Sequence, residues 1–406
     1  MTDAHDGQER LTLQTYLARA KETDRFASEA PHIHHKKLSF GFFGEVGGLL
    51  AALKKGRRDQ LLPTDAQAAS EELGDALWYL ANMALLCGLT AEQLGQAGVA
   101  YLRALFGENA NRHLKPVTFR VFDGIVAMHH ARLARNGERL LRDLASASGH
   151  VVALSYAEML DMDEVSKAAL FGELFGHLSL VSGHFDLALE DIARKNLAKV
   201  FDRWPASKFK YHLLPAAGKP FEQLPSKLEV LFTQRKIGSR IVVVQQIKGL
   251  NIGDPLTDNS HRPDGYRFHD VFHLSYAAHL GWSPVLRALL KVKRKSEPQV
   301  DENEDGARAI ILEEGIATWI FNHAKAHRNY VLVEEGRLEY ALLRQVRGMV
   351  DGLQVAACPL WQWERAILDG FRVFRELLAN KGGTVVADLS RHSLAYTPPA
   401  GLEEQL

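Results

Sequence analysis

Two hydrophobic rhythms divide the chain. From about residue 8 to 204, apolar positions recur at steps of three and four, which predicts helices. Leu11, Leu13, Tyr16 and Leu17 open a first amphipathic segment. After Ser39, which reads as an N-cap, Phe42, Val46, Leu49, Leu50 and Leu53 share one stripe. Gly56 with Lys54, Lys55, Arg57 and Arg58 suits a helix end, where cations meet the negative end of the dipole. Pro63 and Thr64 start a third helix with Leu73, Leu77, Leu80 and Ala84 on its stripe; Gly88 breaks it, and Thr90 caps a fourth reaching about Phe106. Pro205, Pro215, Gly218, Pro220 and Pro225 then mark a linker. The runs LEVLFTQ and SRIVVVQQIKG follow and predict a β-hairpin. NIGDPLTDNSHRPDG reads as a polar loop, helices return near 268–280, 284–293, 303–327, 335–351 and 360–380, and GTVVADL suggests a last short strand before a loose tail at Pro398 and Pro399.

The helical pattern recurs weakly at a displacement of 98 positions, which places Leu73 on Phe171, Leu77 on Phe175, Leu80 on Leu178 and Leu94 on Ile192. Any two amphipathic hairpins align about this well, so duplication is one of two readings. The expected organisation is a helical domain at 1–110, a degenerate second helical unit at 111–205, and a C-terminal α-rich domain with a small β-hairpin at 206–406. The fold class is mainly α.

Composition narrows the partners. The 406 residues hold 49 Lys+Arg and 49 Asp+Glu, so no basic excess points to a nucleic-acid strand. Apolar residues make up 46%, too many for a disordered charged tail. Cys87 and Cys358 are too few for a disulfide framework. MTDAHDGQER carries no apolar leader, and no apolar stretch approaches the roughly 18–20 residues that span a bilayer, so a cytoplasmic protein without membrane partners is expected.

The sharpest chemical signal is GEVGGLL at 44–50 with EELGDALWYL at 71–80. Glu72 and Asp75 are three apart and share a helix face, while Glu45 sits on the preceding helix beside Phe42, Phe43, Val46 and Leu49. Three carboxylates converging in an apolar bundle repel one another unless a cation joins them. Mg²⁺ suits such oxygens and a phosphate substrate, with Mn²⁺ the alternative. The plain alternative is a solvated acidic face. Lys54, Lys55, Arg57 and Arg58 are candidate phosphate ligands. His32, His34 and His35 in HIHHKK could touch a base or phosphate, although such runs are more often solvated loops. Trp78 and Phe43 could stack on a base but more often belong to a core.

These residues resemble the MazG-like, all-α nucleoside triphosphate pyrophosphohydrolases, whose consecutive helices carry an ExxE and an ExxD pair that bind Mg²⁺. GEVGGLL is similar to the family's GEVGEL, and EELGDALWYL to its ExxD helix. The resemblance covers about residues 30–106. It implies that Glu45, Glu72 and Asp75 bind the metal and act in catalysis, and that Tyr79 contacts substrate. The second acid of ExxE is replaced by Gly48, a loss that water or Glu71 would have to meet. Asn196, Lys199 and Arg203 in NLAKVFDRWP resemble the N-x-x-K and the following cation that close many such domains. Lys199 or Arg203 would then reach the nucleotide, whereas Glu173 and Leu170 fall where the second copy would need acids. The resemblance implies hydrolysis of an NTP or dNTP to a monophosphate and pyrophosphate, with Glu45 or Glu72 as base, in a dimer or tandem pseudo-dimer. A regulatory nucleotide sensor with a degenerate site is the alternative.

The C-terminal region carries its own cluster. HRPDGYRFHDVFH places His269 and His273 four apart beside Asp270, KVKRKS at 291–296 adds cations, and Glu304, Asp305, Glu313 and Glu314 are expected along one long helix. Two histidines with acids from another helix can bind a transition metal. No HExxH signature is present, so the rivals are a metal hydrolase site of another kind and a structural salt-bridge network. This region is similar to the C-terminal extension of some long MazG-like proteins, which brings no known chemistry with it.

Overall fold

Helix signals of different strength set how far the expected elements extend in the structure. The computed structural model describes residues 10–56, 64–109, 115–206 and 209–399. Arg57, Arg58, Pro63 and the segment MTDAHDGQE lie outside the described residues. The chain divides into two compact units, Met1–Phe201 and Asp202–Leu406. No described helix is long and apolar enough to cross a membrane.

The first unit runs through α1 (Leu13–Glu22), α2 (Pro31–Gly56), α3 (Asp65–Leu86), α4 (Ala91–Phe106), α5 (Phe119–Met128), α6 (His130–Ala134), α7 (Gly137–Ala153), α8 (Tyr156–Asp161), α9 (Glu164–His184) and α10 (Leu189–Arg203), whose last two residues, Asp202 and Arg203, belong to the second unit. Thr64 and Thr90 form capping boxes with Gln67 and Gln93, each cap contributing about 1 kcal/mol to its helix. The start of α2 departs from expectation. Pro31 stands at its first position, where a missing N–H costs nothing. HIHHKK therefore forms helix rather than a solvated loop, and His34, His35 and Leu38 extend the buried stripe backwards. Ser39 is mid-helix, its Oγ donating to the Lys36 carbonyl at 3.2 Å, so it caps nothing. Phe43 is 45% exposed, because Phe42 takes the inward direction; Trp78 is core and donates to Thr23 Oγ1 at 2.8 Å.

Two glycines set how closely α2 and α3 approach. A Cβ at Gly41 would lie 2.3 Å from the Tyr79 ring, and one at Gly48 2.5 Å from Glu72 Oε2. The two pairs run in opposite directions along the chain, so the helices are antiparallel. Helix α9 packs on α3, α4 and α7, and Gly172 meets the backbone of Ala97 and Gly98 directly.

The second unit is mainly helical around a small sheet. Its strands are β1 (Lys227–Ile237), β2 (Arg240–Ile247), β3 (Leu250–Leu256), β4 (Gly382–Asp388) and β5 (Ser393–Thr397), ordered β3-β2-β1-β4-β5 with antiparallel neighbours throughout. The expected hairpin is the β1–β2 pair, and it lies inside a five-stranded sheet. Both edge strands escape the sequence pattern. Strand β3 contains Gly253 and Pro255, which an edge tolerates because one side needs no ladder bonds. Leu228, Val230 and Phe232 of β1 face the core. The helices are α11 (Asp270–Leu280), α12 (Pro284–Leu289), α13 (Pro298–Asn303), α14 (Ala307–Ala326), α15 (Tyr340–Met349) and α16 (Leu360–Asn380). Every residue of α11 is buried, as befits a helix enclosed by α16, α14 and the sheet.

Candidate functional site

Glu45 on α2 and Glu72 on α3 are joined by a side-chain hydrogen bond, which requires one shared proton. Burial first, then the nearby Asp75 and Glu72, push the Glu45 carboxyl up to about 8. Burial also raises Glu72, against the bond from Glu45. Gly48 explains the geometry. Where the family pattern carries a second acid, the missing side chain leaves room that the Glu72 carboxylate occupies. Glu71 does not replace that acid, because it turns to Lys199 at 3.2 Å.

Asp75 lies one turn beyond Glu72 and faces α10. Lys199 Nζ donates to Asp75 Oδ2 at 2.5 Å, and Asn196 Nδ2 donates to Oδ1 at 3.0 Å. Tyr16 of α1 donates in turn to Asn196 Oδ1 at 3.0 Å, which orients the amide. Burial raises the Asp75 carboxyl although Lys199 opposes it. A cavity of about 410 Å³ opens between α3 and α10, walled in part by Gln67, Ser70, Glu71, Asp75, Asn196 and Lys199. Asp75 thus joins the carboxyl pair on α2 and α3 to the cavity on the other side.

The remaining expected residues scatter. Tyr79 packs against Gly41 and edge-on to Trp78, and burial pushes its hydroxyl up to about 12. Lys54 and Lys55 are exposed near the end of α2, and about two and a half turns put Lys54 on the far side of the helix from Glu45. Arg203 is not available to a nucleotide. Its Nη1 donates to Glu364 Oε2 at 2.5 Å, its Nη2 donates to the Leu338 carbonyl at 2.6 Å, and both charged partners are buried.

The second cluster assembles on α11 and α14. His269 Nδ1 is 2.9 Å from the Tyr266 carbonyl, and the Tyr266 ring stacks on the imidazole at 4.2 Å. His273 Nδ1 is 2.8 Å from Glu313 Oε1. Glu313 also accepts from Ser283 Oγ at 2.7 Å and the Val285 N–H at 2.8 Å, so it stands behind His273 as a fully bonded anchor. Glu314 is on the other side, facing both imidazoles. Burial lowers His269. For His273 burial also acts downward, but Glu313 and Glu314 outweigh it and raise the imidazole. Asp270 Oδ2 accepts from Gln245 Nε2 at 2.5 Å. Among the described residues, His269, His273 and Glu314 are the trio of potential metal ligands whose donor atoms all lie within 4.8 Å; Glu45, Glu72 and Asp75 do not converge that closely. Glu304 and Asp305 precede α14 and do not join the cluster. Asp305 pairs with the buried Arg294 at 2.7 Å, and Glu304 accepts the Gln354 N–H at 3.0 Å, so this part is a salt-bridge network.

One arrangement has no counterpart in the expectations. Arg365, Arg372 and Arg375 of α16 line a cavity of about 450 Å³ with Tyr211, His279 and Asp369. Their spacing of seven and three along one helix was the available signal. Each guanidinium is engaged: Arg365 with Glu335, Arg372 with Asp369, and Arg375 with the Asn329 carbonyl.

Residues 212–400 match the family model described as the MazG C-terminal domain. The second unit is similar to that domain over this stretch. The family suggests a nucleotide-related role. Neither curated proteins nor solved structures offered a match to the chain.

Proposed function

We propose that the first unit is a Mg²⁺-dependent pyrophosphohydrolase that converts an NTP or dNTP to its monophosphate and pyrophosphate. The observation that carries this reading is the linked set Glu45–Glu72–Asp75–Lys199–Asn196, half-buried carboxyls on one side and a cation and an amide beside an open cavity on the other. The donor set fits the ion. Glu45, Glu72 and Asp75 offer only oxygens, which suit a hard cation such as Mg²⁺ or Mn²⁺. The proton shared by Glu45 and Glu72 stands where such a cation would relieve the same repulsion. Bound there, the ion would neutralise triphosphate charge and activate water.

The chain's own groups then take distinct parts. Lys199 exchanges Asp75 for a phosphate oxygen, while Asn196, held by Tyr16, keeps the Asp75 carboxylate in place. Glu45 or Glu72, in its deprotonated form, accepts the proton of the attacking water. Water cleaves the anhydride between the α- and β-phosphates, and the nucleoside monophosphate and pyrophosphate leave.

The test is pyrophosphate release over a panel of NTPs and dNTPs, with and without Mg²⁺, for wild type, Glu72→Gln and Glu314→Gln. Release that needs Mg²⁺, is lost in Glu72→Gln and survives in Glu314→Gln supports the reading. Tight nucleotide binding with no release from wild type would leave a nucleotide sensor in its place. Loss only in Glu314→Gln would move the chemistry to the second unit.

A further inference from the structure

We infer that His269, His273 and Glu314 form a binding site for one divalent first-row transition ion, independent of the Mg²⁺ site proposed above. The hydrogen bonds around the imidazoles define which nitrogens are free. The Tyr266 carbonyl can only accept, so His269 Nδ1 carries the hydrogen. The Glu313 carboxylate stands in the same relation to His273 Nδ1. Both Nε2 atoms are thereby turned toward Glu314. His273 Nε2 is wholly buried and has no hydrogen-bond partner, a costly arrangement for a polar atom unless something else occupies its lone pair.

The spacing suits that occupant. His273 Nε2 lies 3.5 Å from Glu314 Oε1, and His269 Nε2 lies 3.7 Å from Glu314 Oε2. These separations are too long for strong hydrogen bonds. They approach the edge of about 3.3 Å that separates neighbouring ligands around Zn²⁺ with bonds of about 2.0–2.1 Å. Asp270 Oδ1, 3.1 Å from His269 Nε2, is near enough to supply a fourth oxygen.

The surroundings match those of a metal centre. Each histidine is oriented through its far nitrogen, one by a carbonyl and one by a buried carboxylate. Glu313 is locked by three donors, and the stacked Tyr266 ring fixes His269. The Glu314 side chain is 40% exposed while His273 is fully enclosed, so the ion would enter past Glu314, and water could complete its coordination there. Two imidazoles with one carboxylate favour Zn²⁺, Co²⁺ or Fe²⁺ over Mg²⁺. The competing description is a doubly protonated His273 clasped by Glu313 and Glu314, which needs no ion.

Full-length protein stripped with a chelator and titrated with Co²⁺, followed by Zn²⁺ competition, separates the two. One Co²⁺ per chain should bind with a visible d–d band, Zn²⁺ should displace it, and a large excess of Mg²⁺ should not. Glu314→Gln and His269→Gln should each weaken Zn²⁺ binding at least about tenfold, whereas Glu45→Gln should leave it unchanged. Far-UV circular dichroism checks that each variant is folded. If His269→Gln fails to fold, the partly exposed Glu314→Gln decides alone. Folded wild type that retains no Co²⁺ or Zn²⁺, or affinity unaltered by Glu314→Gln, would overturn the assignment, as would loss of the ion in Glu45→Gln.

Discussion

The chain holds two clusters of ionisable groups that meet the same difficulty in opposite ways. In the first unit, Glu45, Glu72 and Asp75 are negative groups brought out of water, and they are relieved by a shared proton and by Lys199 and Asn196. In the second, each acid is matched to an imidazole. Glu313 is saturated with donors, yet His273 Nε2 is left without a partner. The first set of ligands is all oxygen. The second is mixed nitrogen and oxygen and is held by outer hydrogen bonds. Charge balance therefore governs the first and directed lone pairs the second, which is why a hard cation is proposed for one and a transition ion for the other.

Substitutions can break this contrast. The largest effect is expected away from both clusters. Arg203→Ala strands the buried Glu364 carboxylate and should destabilise the second unit by about 3–5 kcal/mol in denaturant unfolding. Pyrophosphate release per folded molecule should stay unchanged, and a loss there would return Arg203 to the nucleotide site. Glu72→Gln should lower pyrophosphate release by at least about 100-fold without disturbing Zn²⁺ binding. If both fell together, the clusters would not be independent. Lys199→Ala removes a charged phosphate contact and should raise KM about tenfold, measured in steady-state kinetics. Gly48→Ala should act more mildly. Its Cβ displaces the Glu72 carboxylate, so more Mg²⁺ is needed for half-maximal rate, while thermal stability holds or rises because Ala favours helix.

The smallest expected effect concerns how α10 is held. Asp123 accepts the N–H groups of Leu189 at 2.6 Å and Glu190 at 3.2 Å at the start of the helix that carries Asn196 and Lys199. Burial pushes its carboxyl up to about 6 from the ordinary 3.8, against those two bonds. The native state thus binds this proton more tightly than the unfolded chain. Its contribution to stability is complete below about pH 4 and is lost as pH rises through 6. Asp123→Asn should flatten that slope in unfolding experiments at pH 4 to 7. An unaltered slope would remove Asp123 as its source.

Much of the scaffold was legible in the residues. The stripes of Leu13, Tyr16 and Leu17, of Leu73, Leu77 and Leu80, and of Phe171 and Phe175 are all buried, because helical spacing is a local property. Thr64 and Thr90 cap where they were expected to, and the β1–β2 hairpin forms. The misses have a common origin. Histidines extend the α2 stripe although the pattern does not count them as apolar, and strands β3 and β5 are recruited by neighbours far away in the chain.

The sequence by itself determined the helical class of the first unit, the placing of the acids one turn apart on α3, and the pairing of His269 with His273 across one turn. These follow from the period of the helix. Tertiary structure alone decided which partners those groups meet. It brought Lys199 and Asn196 to Asp75 across more than a hundred residues, took Arg203 away to Glu364, placed Glu72 in the space above Gly48, and put Glu313 behind His273 while Glu314 stood in front. Such choices depend on how helices cross and which side chain fills the gap, and no local pattern encodes that.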